Sequence, residues 1–393
     1  MRFRDALAAP GLGAIAEIKR RSPSAGDLRV DADPPLLAAA FERAGAAALS
    51  VLVDERFGGS IDDLRAARAS TSLPILGKGF FTEERDFQEL KEAGADAALI
   101  LLRDVDDDRA RDLTRAATEL GLDTLVEAHD AHELGRAVAL GADTIGINAR
   151  DLSSFAIDRL AQLALVAQVP GDRVIVAESG VHSRAQAAAA ELAGADAILV
   201  GTALMRAVDP ALKLADLLAR PLVKVCGLTR QEDVDVAVDA GADLVGFILA
   251  RETPRRAPGV LEVPDTVLSV AVFVEEVEDT PADLIQLYRR ENGHRSRDAV
   301  LGRNVPSNSL LLADRPGVRV MDLPWQDGDP NHLDRAAAVE GRVMLAGGLS
   351  PENVGDAIRT VRPWAVDASS SLETAPGIKD AARVRAFVEA ARC

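Results

Sequence analysis

Short apolar runs of five or six residues alternate with stretches of helical period along this chain, and four of the junctions share one tetrapeptide. Ala93-Gly94-Ala95-Asp96, Leu140-Gly141-Ala142-Asp143, Ala193-Gly194-Ala195-Asp196 and Ala240-Gly241-Ala242-Asp243 lead into the apolar runs 97–102, 144–148, 197–201 and 244–249. Glycine after a helix is the preferred left-handed cap, and a continuous apolar run suits a parallel strand buried on both faces. The pattern predicts strands at 14–19, 48–53, 74–78, 97–102, 124–127, 144–148, 174–179 and 197–201, most of them separated by helical stretches. Eight βα units in about 220 residues is the count of one (β/α)8 barrel. The count then restarts, with strands predicted at 223–227, 244–249, 268–274, 284–288, 309–313, 318–322, 343–347 and 365–369. The α/β class and two tandem (β/α)8 barrels follow, over residues 1–219 and 221–393, meeting near Arg220-Pro221 with almost no linker. The stretch 289–308 is polar and lacks helical period, and reads as a long loop or a hairpin. An open doubly wound sheet satisfies the same alternation.

A length of 393 residues independently favours two domains. Aromatic residues make up only 3% of the chain against 48% hydrophobic, so its cores must be built from Ala, Val, Leu and Ile. The net charge of −17 argues against a nucleic-acid footprint, and any anionic substrate must be gripped locally against the overall field. The two cysteines, one of them C-terminal, exclude a disulfide framework and suit a reducing compartment. No signal peptide or apolar run of spanning length is apparent, so a cytoplasmic location and no membrane partner are expected.

Candidate chemistry gathers at the C-terminal ends of the predicted strands, where barrels of this class build their sites. Glu17 and Lys19 share one face of the first strand end; Lys78, Glu127, Asn148 and Ser179 close later strands. A lone Glu-x-Lys is more often a surface ion pair. Several charged residues ending buried strands are costly unless the barrel mouth is wet and used, and two ammonium and two carboxylate groups suffice for general acid–base work. Ser179-Gly180 and Gly201-Thr202, in the loops after the seventh and eighth strands, have the position and backbone freedom of a phosphate grip. The second half repeats the device with Gly347-Gly348 and with Asp367-Ala368-Ser369-Ser370.

Ile15-Ala16-Glu17-Ile18-Lys19-Arg20-Arg21-Ser22-Pro23-Ser24, Phe57-Gly58-Gly59-Ser60, Ile145-Gly146-Ile147-Asn148-Ala149-Arg150-Asp151-Leu152 and Glu178-Ser179-Gly180-Val181 resemble the indole-3-glycerol-phosphate synthase family across nearly all of residues 1–219. Val223-Lys224-Val225-Cys226-Gly227-Leu228-Thr229-Arg230, Thr253-Pro254-Arg255 and Leu345-Ala346-Gly347-Gly348-Leu349 resemble phosphoribosylanthranilate isomerases, a likeness that fades between about 289 and 317. Fused pairs of these enzymes occur in tryptophan biosynthesis. The resemblance implies a bifunctional lyase and isomerase without cofactor or metal, acting on phosphorylated anthranilate-ribose and anthranilate-ribulose substrates, and a monomer because the barrels are fused.

The same resemblance implies that Lys78 is the general acid of ring closure, that Lys19 neutralises the departing carboxylate, and that Glu17 and Glu127 handle protons in the dehydration. Asn148, Arg150, Glu178 and Ser179 are implied to orient substrate, and Ser22, Gly180, Gly201 and Thr202 to hold phosphate. In the isomerase half it implies Cys226 as base, Asp322 as acid, Arg255 on the anthranilate carboxylate, and Gly347, Gly348, Asp367, Ser369 and Ser370 around the substrate. A lone cysteine is more often a small buried apolar side chain; the surrounding motif reverses that weighting. The sequence also departs from the family patterns. Lys78-Gly79-Phe80 stands for the usual Lys-Asp-Phe, Tyr288-Arg289 for His-Gly, and Ser369-Ser370-Ser371 for Ser-Ser-Gly. The loop Leu323–Asp329 replaces a Gly-Gly-rich one.

Overall fold

The computed structural model describes every residue except 1, 151–155, 252, 292–293, 304–316 and 323–330. The predicted strand 309–313, the loop 323–329 and Asp151-Leu152 therefore lie outside the described residues. The chain divides into two compact units, one of residues 1–182 with 193–218, the other of 183–192 with 219–393.

Eight parallel strands form the first barrel: β1 Gly13–Ile18, β2 Ala48–Leu52, β3 Ile75–Lys78, β4 Ala97–Leu101, β5 Asp123–Ala128, β6 Thr144–Asn148, β7 Val174–Glu178 and β8 Ala197–Val200. It closes by β1 pairing with both β8 and β2. Its interior is aliphatic, with Ile15, Leu76, Leu99, Leu125, Val176 and Leu199 in one buried cluster that also takes Phe3 and Leu7. Each such side chain contributes roughly 1.5–3 kcal/mol on burial.

The recurring Gly-Ala-Asp has a physical role at both of its polar ends. Gly94 and Gly141 adopt φ of +97° and +79° and cap the helices Glu84–Ala93 and Ala131–Leu140. The aspartate then accepts a backbone N–H from the first or second residue of a neighbouring strand: Asp96 from Ile75 at 2.9 Å, Asp196 from Ile175 at 2.8 Å and Asp243 from Val223 at 2.8 Å. One tetrapeptide thus ends a helix and pins the bottom edge of the barrel.

The second barrel also closes on eight strands: β9 Leu222–Cys226, β10 Leu244–Ile248, β11 Leu268–Val274, β12 Leu284–Glu291, β13 His294–Arg303, β14 Val318–Asp322, β15 Val343–Ala346 and β16 Ala365–Ala368. Seven run parallel, whereas β13 is antiparallel to both β12 and β14. Both barrels close as expected of tandem (β/α)8 units, and of the loop or hairpin expected after β12 the chain takes the hairpin. The polar segment after β12 has no apolar face to lay down as a crossover helix, so the chain pairs straight back as a hairpin. After β16 a small ladder, β17 Glu373–Ala375 with β18 Ile378–Lys379, precedes the closing helix Ala381–Arg392. Among the described residues no helix is long and apolar enough to cross a membrane.

Candidate active sites

The period of two along a strand aims Glu17 and Lys78 into the mouth of the first barrel, with Lys19 immediately beyond β1. Lys78 Nζ stands 3.5 Å from Glu127 Oε2 and 3.8 Å from Glu17 Oε2, and donates a short hydrogen bond to Glu178 Oε2. Lys19 Nζ pairs with Glu17 Oε1 at 2.5 Å, and Asn148 Nδ2 donates to Glu127 Oε1 at 2.8 Å. Glu17, Lys19, Lys78, Glu127 and Asn148 line one cavity. Glu178, expected to touch substrate, instead sits beneath that lining and is 1% exposed. Its contact with the site is through Lys78.

The rim of the same cavity carries Ser22, Arg150, Ser179, Gly180, Gly201 and Thr202. Arg150 is fixed through its backbone N–H, which donates to Asn148 Oδ1 at 2.9 Å, and its Nη1 donates to Ser24 Oγ at 2.9 Å. Arg20 does not reach the cavity; both its terminal nitrogens grip Asp63 at 2.8 and 2.9 Å, tying the loop after β1 to the helix Ile61–Arg68. Gly201 is required by close approach: a Cβ there would stand 2.2 Å from Glu17 Oε1 and 2.9 Å from Lys19 Nζ.

Three carboxylates crowd two ammonium groups, and burial decides who keeps a proton. Burial alone would lower Lys78, but Glu178, Glu127 and Glu17 hold it well above the usual lysine range. Burial would raise Glu127, yet Lys78, His129 and Asn148 bring it far below the usual carboxylate range. Glu178 is pushed up to about 8 by burial and then by the Glu127 charge. The arrangement therefore holds a charged ammonium, an ionised carboxylate and a carboxyl that is protonated at neutral pH in one enclosure.

Cys226, Arg255, Asp322, Gly347, Gly348, Asp367, Ser369 and Ser370 line one cavity at the mouth of the second barrel. Cys226 is buried, and burial pushes its thiol up despite the nearby Lys224. Lys224 is fully buried and donates to Asp367 Oδ2 at 2.9 Å. Arg255, expected to face a substrate carboxylate, is held by Glu373, with Nε and Nη2 each 2.9 Å from Oε2. Lys379 meets the same Glu373 at 3.0 Å, so the β17–β18 ladder brings a carboxylate and an ammonium to this rim. Asp322 accepts from Tyr288 Oη at 3.2 Å, and Gln286 Nε2 donates to that hydroxyl at 2.9 Å. Tyr288, a departure from the family pattern, thus contacts the candidate acid.

His129, Lys224, Gln286, Glu373 and Lys379 were not among the candidate site residues read from sequence, and Tyr288 entered only as a departure from the family pattern. Three of them lay within reach of a signal already in use. Glu127-x-His129, Lys224-x-Cys226 and Gln286-x-Tyr288 repeat the period-two spacing of Glu17-x-Lys19.

The indole-3-glycerol phosphate synthase family model matches residues 1–217, and the N-(5'phosphoribosyl)anthranilate isomerase model matches residues 329–390. The indole-3-glycerol phosphate synthase of Nocardioides sp. is 49% identical over 51% of this chain and 78% of its own. A multifunctional tryptophan biosynthesis protein of Phycomyces blakesleeanus is 32% identical over 96% of this chain. The chain spans 62% of that relative's length and 59% of a similar protein from Schizosaccharomyces pombe. A phosphoribosyl anthranilate isomerase structure from Thermotoga maritima aligns with 44% of this chain and 99% of its own, at 26% identity and a TM-score of 0.33. The chain belongs to the indole-3-glycerol phosphate synthase family, and joins to that barrel a second one carrying a phosphoribosylanthranilate isomerase match.

Proposed function

We propose that the chain catalyses two successive steps of tryptophan biosynthesis. The second barrel isomerises N-(5-phosphoribosyl)anthranilate to 1-(2-carboxyphenylamino)-1-deoxyribulose 5-phosphate. The first closes the ring of that product, releases carbon dioxide and then water, and yields indole-3-glycerol phosphate. The observation that carries the reading is Lys78, an ammonium fixed among Glu17, Glu127 and Glu178 at a barrel mouth rimmed by phosphate-sized polar loops. In this reading Lys78 protonates the carbonyl oxygen as the carbon–carbon bond forms, Lys19 balances the departing carboxylate, and Glu17 and Glu127 move protons in the dehydration. Asn148, Arg150 and Ser179 orient the substrate, and Ser22, Gly180, Gly201 and Thr202 hold its phosphate. The isomerase step uses Cys226 as base and Asp322 as acid, with Gly347, Gly348, Asp367, Ser369 and Ser370 around the substrate.

The chain is proposed to work as a cytoplasmic monomer. Supplying each purified substrate separately to the intact chain and following its product tests both activities. A second reading, in which only the synthase half turns over, is favoured by the buried Cys226 thiol and by Arg255 being engaged with Glu373. Isomerase turnover in the intact protein that Cys226→Ser abolishes excludes it.

A further inference from the structure

His129 follows β5 and lies outside the cavity lining, yet reaches the site through Glu127. Its Nε2 is 3.2 Å from Glu127 Oε1, and its Nδ1 is 3.0 Å from Glu133 Oε2. The backbone N–H of the same residue donates to Glu133 Oε2 at 2.8 Å, which fixes the ring from a second direction. A neutral imidazole has one N–H, so one nitrogen would turn its lone pair toward a carboxylate oxygen. The doubly protonated ring meets Glu133 with a hydrogen bond from Nδ1 and sets its positive charge against Glu127 as an ion-pair contact at Nε2. The charged groups around it are Glu127 from the strand and Glu133 from the helix Ala131–Leu140, with Asp130 beside Glu133 and Lys78 on the far side of Glu127. Glu133 lies in the first turn of that helix, where the helix dipole favours its ionised form.

With His129 charged, Glu17, Glu127, Glu178 and Glu133 face Lys19, Lys78 and His129, four carboxylates to three cations, so the enclosure has one proton to place. Glu127 has Lys78 and His129 on two sides and the Asn148 amide on a third. Glu178 has Lys78 alone, while one buried oxygen on each carboxylate, Glu178 Oε1 and Glu127 Oε2, has no hydrogen-bond partner among the described residues. A proton on Glu178 therefore displaces less attraction than one on Glu127.

We propose that His129, held as an imidazolium between Glu133 and Glu127, is a positioning residue that reserves Glu127 as the ionised carboxylate of the synthase site and leaves the shared proton to Glu178. This rests on the reading of Glu127 as a proton-handling group of the first barrel. Burial alone would lower the imidazole, but Glu127 and Glu133 raise it to about 9, in line with the geometry.

The test is the pH profile of synthase turnover in His129→Gln, which keeps polarity and removes the charge. With one cation fewer, Glu127 takes up a proton at higher pH. The acid limb of kcat therefore moves upward, turnover at pH 5 falls about tenfold against wild type, and KM stays within about twofold. Glu127→Gln run alongside separates the two ideas. Loss of turnover in Glu127→Gln with an unmoved acid limb in His129→Gln overturns the role of His129 alone. Full turnover in Glu127→Gln overturns the reading on which it rests. Should His129→Gln fail to fold, imidazole NMR shifts of the wild-type chain decide the matter. The His129 ring keeping both protons past pH 8 supports the proposal, and loss of one near the free-histidine value of about 6.5 refutes it.

Discussion

Glu178 contributes to stability through a proton rather than a charge. Burial and Glu127 raise its folded value to about 8, against 4.5 for the ordinary side chain. A raised carboxyl stabilises the fold fully below the unfolded value, and the benefit is lost as pH rises toward 8. Glu178→Gln mimics the protonated form, so its melting temperature relative to wild type is expected to climb between pH 5 and 8. A constant difference across that window, measured by thermal unfolding, would remove Glu178 as the proton holder. Cys226 gives a second pH signature, in the isomerase. Its thiol lies above the usual cysteine range because it is buried. If the thiolate is the base, isomerase kcat/KM rises with pH through neutrality and is still rising at pH 9, and Cys226→Ser is inactive throughout. A plateau beginning below pH 8 would point to a different base.

At the level of strands and loops, the residue after Lys78 shows how a family pattern meets local packing. A Cβ on Gly79 would stand 2.8 Å from Phe81 Cζ and 3.4 Å from Val53 Cγ2, and the Phe81 ring packs edge-on against Phe87 with centroids 6.0 Å apart. Restoring the family's aspartate with Gly79→Asp therefore forces a packed ring aside, at a cost of about 1–3 kcal/mol. Pairing the change with Phe81→Ala is expected to spare the acidic variant part of that cost. An unchanged melting temperature in Gly79→Asp would show that the ring yields freely. The first barrel was legible because its strands are buried on both faces and its Gly-Ala-Asp junctions mark helix ends. Glu17, Lys19, Lys78, Glu127 and Asn148 were legible because they close those strands, and the structure gathers them in one cavity. The antiparallel β13 was not, since a polar stretch without period fits a loop as well as a hairpin. Glu373 was missed for a different reason: it acts on Arg255, 118 positions away, a pairing made only by folding, whereas His129 and Lys379 pair locally and act on a neighbouring charge rather than lining the cavity.

For the whole molecule, the two sites belong to separate units, which makes the two proposed activities genetically separable. Lys78→Ala is expected to lower synthase turnover by about 10²–10⁴-fold and to leave the isomerase intact. Cys226→Ser is expected to do the reverse. A mixture of the two variant proteins should then convert N-(5-phosphoribosyl)anthranilate to indole-3-glycerol phosphate after a lag, while the intermediate accumulates in solution. No product from the mixture would mean that one half depends on the other. The antiparallel strand of the second barrel also bears on how that unit is built in time. The pairing of β12 with β13 joins chain neighbours, with Glu291 opposite His294. A hairpin of this kind closes in roughly 1–10 μs. By contrast, the ion pair of Lys224 with Asp367 must bring together residues 143 positions apart. The wall of the second barrel thus holds a local nucleus, whereas among the described residues each wall strand of the first is parallel to its neighbours and reached through a crossover. In pulsed hydrogen exchange during refolding, the amides of Leu287 and Val300, opposite each other in the hairpin, should gain protection before those of Val225 and Val366.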